Sequence, residues 1–222
     1  MTLIEAAVDS VDALLAAQRA GVDRIELCTN LDVGGTTPAP EFISTAIAMA
    51  GIPVFALIRP RAGRFVYTEA ELEVMHRDID RGLSLGVSGF ATGVLEPDST
   101  IDVPRMRSLV AAARGSPLTF HRAFDATPDV FESLERLIDT GVVRVLTSGG
   151  APTAMEGIDV LARLVQQAKD RITVIAAGKI REHNVREVIS RTGVAEVHAR
   201  VVDEDGARRL VQAAIGSPSD WG

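Results

Sequence analysis

One pattern recurs eight times along this 222-residue chain and leaves little choice of architecture: a short aliphatic run, a polar loop, then an amphipathic helical stretch. The runs read as strands at Leu3–Val8, Arg24–Cys28, Pro53–Arg59, Gly89–Thr92, Pro117–His121, Val143–Thr147, Ile172–Ala176 and Ala195–Ala199. A helical stretch follows the last of them at Glu204–Ile215. Units spaced roughly 20–35 residues apart are what a (β/α)8 TIM barrel needs. Glycine marks the joints. Gly21, Gly86, Gly141 and Gly193 each stand where a helix must stop in a left-handed turn, one or two residues before a strand. No dinucleotide glycine fingerprint follows the first strand, which weighs against the alternative of an open doubly wound sheet. No linker divides the chain, so residues 1–222 read as one α/β domain, with a frayed tail at Gly216–Gly222.

Composition agrees. Hydrophobic residues make up 46% and aromatic residues only 4%, so the core must be aliphatic, as in parallel sheets covered by helices. A formal net charge of −7 argues against nucleic acid and against an anionic membrane surface as partners. The single cysteine, Cys28, allows no internal disulfide, and no secretory leader or membrane-length apolar run is evident. The expected location is the cytoplasm.

Strand side chains alternate between the helices and the barrel interior. Putting Ile4, Ala6 and Val8 outward turns Glu5, Ala7 and Asp9 inward. The same rule sends Glu26, Cys28, Arg59, Thr119, His121, Glu196, His198 and Arg200 to the interior. Glu196 comes early on its strand and reads as structural. Charged groups are seldom buried without partners, so this set is either a self-paired polar core or a site at the C-terminal mouth, where barrels carry their chemistry.

Three loops add detail. Ile58-Arg59-Pro60-Arg61-Ala62-Gly63-Arg64 offers guanidinium forks for a carboxylate or phosphate, through Arg59 and Arg61. The competing reading pairs Arg59 with Glu26 or Glu5. In Thr119-Phe120-His121-Arg122-Ala123-Phe124-Asp125, His121 is a candidate acid, base or metal ligand, with Asp125 to orient it. Leu146-Thr147-Ser148-Gly149-Gly150 is a candidate anion cradle through Thr147, Ser148 and Gly149, although such a sequence also makes ordinary turns. Lys179, after the seventh strand, lies where barrels often hold phosphate.

These motifs, with Asp23-Arg24-Ile25-Glu26-Leu27-Cys28 and Gly34-Gly35-Thr36-Thr37-Pro38, closely resemble those of the CutC family, the copper homeostasis proteins of bacteria and animals. The resemblance runs in order from about Glu5 to His198 and is most specific at Thr119–Asp125. It implies a TIM barrel, a cytoplasmic protein, often a homodimer, and copper as the bound ion. The sequence departs from the family pattern at Ala7, where a second interior cysteine is usual, at Ala176-Ala177-Gly178-Lys179, and at His198-Ala199-Arg200-Val201.

Three readings follow. In the first, Cys28 and His198, with His121, handle copper. In the second, Glu26, His121, Asp125 and Glu5 move protons on a small anionic metabolite held by Arg59, Arg61 and the Thr147–Gly149 loop, with isomerase, lyase or aldolase chemistry and no evident cofactor. In the third, the barrel binds a ligand without catalysis.

Overall fold

Hydrogen bonding closes the eight strands into one continuous ring of parallel strands, β1 to β8 in sequence order. The computed structural model describes residues 2–216; the expected fraying beyond Gly216 lies outside the described residues. The strands are β1 Leu3–Val8, β2 Arg24–Leu27, β3 Val54–Leu57, β4 Gly89–Thr92, β5 Leu118–Phe120, β6 Arg144–Thr147, β7 Thr173–Ala176 and β8 Glu196–Arg200. The helices are α1 Val11–Ala20, α2 Pro40–Met49, α3 Glu69–Leu85, α4 Val103–Ala112, α5 Val130–Ile138, α6 Ile158–Ala168, α7 Val185–Thr192 and α8 Glu204–Ile215. The sequence therefore located all eight strands, with β2, β3, β5, β6 and β7 shorter than expected and β8 shifted by one residue. Cys28, Arg59 and His121 stand just past their strands, on the loops that form the mouth.

Local chemistry explains the joints. Gly21, Gly86, Gly141 and Gly193 have φ between 71° and 90°, a region that costs other residues strain. Ser10, Thr68, Asp102, Asp129 and Asp203 cap their helices, each accepting a bond from a first-turn backbone N–H. Thr68 and Glu71 form a reciprocal capping box.

The main core lies between sheet and helices and is aliphatic, built on Ile4, Ala6, Val8, Ile25, Leu27, Val54, Ala56, Val145 and Val197. The interior of the barrel is different. It holds two small apolar clusters, Cys28–Leu57–Ala91 and Leu146–Ile175–Ala177, set beside a charged layer. The alternation expected on β1, β2, β3 and β8 is the one observed. Among the described residues no helix is long and apolar enough to cross a membrane.

Candidate functional site

The charged layer starts from register. Glu5 lies level with Arg24 on β2 and with His198 on β8, so three charged side chains meet at the seam where the barrel closes. Glu5 is 1% exposed. It accepts a short bond from Arg24 Nε, and its other oxygen lies 2.7 Å from His198 Nδ1. Arg24 also donates to Glu196, so the structural role expected for Glu196 is the one seen. Below these groups the guanidinium carbons of Arg24 and Arg144 lie 5.0 and 4.7 Å from the centre of the Phe55 ring. Phe55 fits because position 89 is glycine; a Cβ there would come within 2.5 Å of the ring.

Burial would raise the Glu5 carboxyl, but the hydrogen bond and charge of His198, and those of Arg24, outweigh it and hold the group at about 2. Glu26 sits one layer nearer the mouth. Burial raises its carboxyl, the charge of His198 opposes the rise, Glu5 adds to it, and the net direction is upward. Burial would lower the His198 imidazole, yet the bond to Glu5 and the charges of Glu26 and Glu5 bring it out above its ordinary value. The layer thus holds one firmly anionic carboxylate, one carboxyl that keeps its proton to higher pH, and an imidazole biased towards its charged form.

His121 is arranged differently. Its Nδ1 accepts the Ala123 N–H at 3.2 Å, while Nε2 is buried with no hydrogen-bond partner among the described residues. Burial, then the charge of Arg59, lowers its pKa to about 3, so the ring is neutral. Gly93 makes room for it, since a Cβ there would lie 2.6 Å from Nδ1. Phe65 packs against the ring with centroids 4.9 Å apart.

The expectation that Asp125 orients His121 is corrected by its bonds. Asp125 accepts from Thr147 Oγ1 at 2.5 Å, from the N–H groups of Ser148 and Gly150 at 3.0 Å, and from Arg122 Nε at 2.8 Å. Arg122 Nη2 also donates to Ser148 Oγ at 2.8 Å. The Thr147-Ser148-Gly149 cradle is a real anion nest, but its anion is the protein's own Asp125. Thr147 and Ser148 are fully buried, and Gly149 N donates back to Thr147 Oγ1 at 2.9 Å, so none of the three faces the mouth.

Arg59 pairs with neither Glu26 nor Glu5. Its Nη atoms donate to the carbonyls of Val33, Gly35 and Gly63, which ties the loops after β2 and β3 together, and its guanidinium lies 4.9 Å from the Phe65 ring. Arg61 points away from the mouth, donating to Glu71 and to the carbonyls of Arg64 and Val66. It fastens its own loop to α3 instead of clamping an anion. The Cys28 thiol is buried and donates to Glu26 Oε1 at 3.4 Å. Burial and the Glu26 carboxylate push its pKa well above the usual thiol value.

What remains open at the mouth is a cavity of about 430 Å³. Glu26, His121 and His198 line its inner part, with Arg59 and Phe65 on one side. Its rim carries Arg122, Lys179, Arg181 and Arg200. Arg200 is held by Asp32 at 2.8 Å and Asp9 at 3.7 Å, and Arg181 Nη1 bonds the Ile180 carbonyl. The Lys179 ammonium has no hydrogen-bond or ion-pair partner among the described residues. Sequence reasoning missed Arg24, Arg144, Arg122 and Arg181. Arg24 was within reach, because period two places it on the face of Glu26.

Copper(I) prefers several soft sulfur or nitrogen donors and a deprotonated thiol. Among the described residues, one group of three acidic, imidazole or thiol donors lies within 4.8 Å: Glu5, Glu26 and His198. It offers two oxygens and one nitrogen, and both oxygens of Glu5 are already bonded. Cys28 and His121 are not part of it. The donors do not fit the soft copper site that Cys28 and His198 were expected to form.

Fold and cavity together define a TIM-barrel protein with a polar, small-molecule-sized opening at the C-terminal ends of its strands. The family model described as the CutC family matches residues 2–202. A CutC family protein of Sinorhizobium medicae is 42% identical over 97% of this chain and 89% of its own length. A Homo sapiens protein named copper homeostasis protein cutC homolog is 42% identical over 97% of this chain and 80% of its own. The crystal structure of a putative copper homeostasis protein CutC from Streptococcus agalactiae superposes with a TM-score of 0.85 at 35% identity, covering 89% of this chain and 98% of the other. The chain belongs to the CutC family, which is linked to copper homeostasis.

Proposed function

We propose that this CutC-family barrel is an enzyme that moves a proton on a small anionic metabolite bound in its mouth. One observation carries the reading: Glu26, a buried carboxyl with raised proton affinity, opens onto a ligand-sized cavity beside the His198–Glu5 pair. Glu26 takes or returns the proton. His198, oriented by Glu5, supplies positive charge next to it. The rim cations favour an anion: among the described residues Lys179 has no partner for its charge, and Arg181 bonds a backbone carbonyl, not a carboxylate. Neither the Asp125 nest nor Arg61 takes part in ligand binding on this reading.

The copper role named for relatives belongs to this chain only if a donor set can be assembled around a protonated, buried thiol. We expect Cys28→Ser to leave copper(I) uptake, measured in competition with a chelator, unchanged; a clear loss would restore the thiol to the site. A cytoplasmic homodimer is part of the proposal and rests on the family resemblance.

The test is a thermal-shift screen of anionic metabolites, followed by NMR of the stabilising compound in D2O. The expected result is deuterium exchange at one carbon of the ligand, slowed about 10²–10⁴-fold in Glu26→Gln. Exchange at an undiminished rate in that variant would remove Glu26 from the chemistry, and the absence of any stabilising anion would favour a different ligand class.

A further inference from the structure

We infer that His121 is a fixed hydrogen-bond donor, not a proton carrier, and that it selects ligands presenting a carbonyl oxygen to its Nε2–H. Two observations carry this. The ring's Nδ1 accepts the Ala123 N–H, which assigns the ring proton of a neutral imidazole to Nε2. Nε2 is then a buried donor with no acceptor among the described residues, in a residue 6% exposed that lines the mouth cavity. Native proteins seldom leave a buried donor unsatisfied, and a ligand acceptor is the natural completion.

The surroundings hold the ring in this state. Arg59, whose guanidinium also lies 4.9 Å from the Phe65 ring, disfavours a second positive charge, and Gly93 leaves no side chain to compete for the Nδ1 edge. A neutral imidazole donor polarises a carbonyl without giving up its proton. This assignment rests on the anion-binding reading above and sharpens it: the carbon that exchanges its proton through Glu26 lies next to the carbonyl bound by His121, so the substrate class is anionic oxo compounds able to enolise.

Two measurements test it. First, ¹⁵N-histidine NMR of the free protein should show His121 as the Nε2–H tautomer, unchanged between pH 5 and 9; an Nδ1–H tautomer, or titration near neutral pH, overturns the inference. Second, 2-oxoglutarate and glutarate, which differ only in a carbonyl, serve as probes by calorimetry. We expect a preference of about five- to tenfold for the oxo acid, retained in His121→Gln, which keeps a donor, and lost in His121→Phe. Equal binding of both acids to the wild-type protein would overturn the carbonyl assignment while leaving the anion site standing. Binding of neither would overturn the anion-binding reading itself, and this inference with it.

Discussion

Glu5 shows how a single carboxylate can set two unlike properties. It keeps Arg24 neutralised inside the barrel, and it orients His198 at the edge of the mouth. Its pKa is lowered on folding, so its contribution to stability is present above the unfolded value near 4.5 and is lost as pH falls towards 2. His198 has the opposite sign. Its pKa is raised on folding, so its contribution is full below about 6.5 and is lost as pH rises through the folded value. We expect Glu5→Gln to lose on the order of 3–5 kcal/mol at pH 7, because it leaves a buried guanidinium short of a partner. Urea midpoints across pH should show the gap between wild type and variant closing below pH 4. A gap that stays constant down to pH 2 would mean that folding does not lower the Glu5 pKa.

Asp125 answers to the same logic. Its charge is spent on four groups of its own chain and Arg122. Asp125→Asn should cost about 2–3 kcal/mol in thermal or chemical unfolding, through the loss of charge-assisted bonds. It should leave the Nε2–H tautomer of His121 in place, since the two do not touch through a hydrogen bond. A change of tautomer would return Asp125 to the orienting role its spacing suggests.

At the scale of elements, the loops after β4 and β5 set the position of His121. Gly93 is needed there for space, not for its backbone freedom: a methyl group would meet Nδ1 and Cε1 of the imidazole at 2.6 and 2.7 Å. We expect Gly93→Ala to push the ring off the Ala123 N–H and to alter its NMR tautomer signature, with a modest stability loss of about 1–3 kcal/mol. An unchanged His121 spectrum would show that the loop can absorb the methyl. The elements also show what a linear reading can and cannot reach. Period two on β1, β2, β3 and β8 separated the charged interior from the aliphatic face, because that rule acts within one strand. The fates of Arg59, Arg61 and Asp125 were hidden, because each bonds to a loop or to a neighbouring unit whose distance is set only by folding. Thr147 was misplaced for a simpler reason. It shares the parity of Val145, which packs in the helix-facing core, so the same rule turns it away from the mouth.

Across the whole molecule, closure brings together residues far apart in sequence. Glu5 and His198 are 193 positions apart, and α1 and α8 flank the same seam, with Arg19 donating to Glu204 at 2.6 Å. Joining the chain ends through a flexible linker and opening the exposed turn at Arg114–Gly115 would turn this seam into a local contact. Such a permutant should keep the fold and fold faster in stopped-flow experiments, because less loop entropy is lost before β1 and β8 meet. Unchanged folding rates would indicate that the seam forms after the rate-limiting step.

The position of the Glu5–His198 bond on that seam also bears on synthesis. A chain still emerging from the ribosome can build seven strands with their helices and yet lack the imidazole that β8 delivers. Glu5 then has only Arg24, Glu26 lacks the His198 charge beside it, and the cavity has no wall on one side. If the mouth carries the proposed activity, chains clipped before β8 should show none of it. β8 thus supplies both the imidazole that pairs with Glu5 and one wall of the cavity, so the mouth is complete only when the ring of strands is.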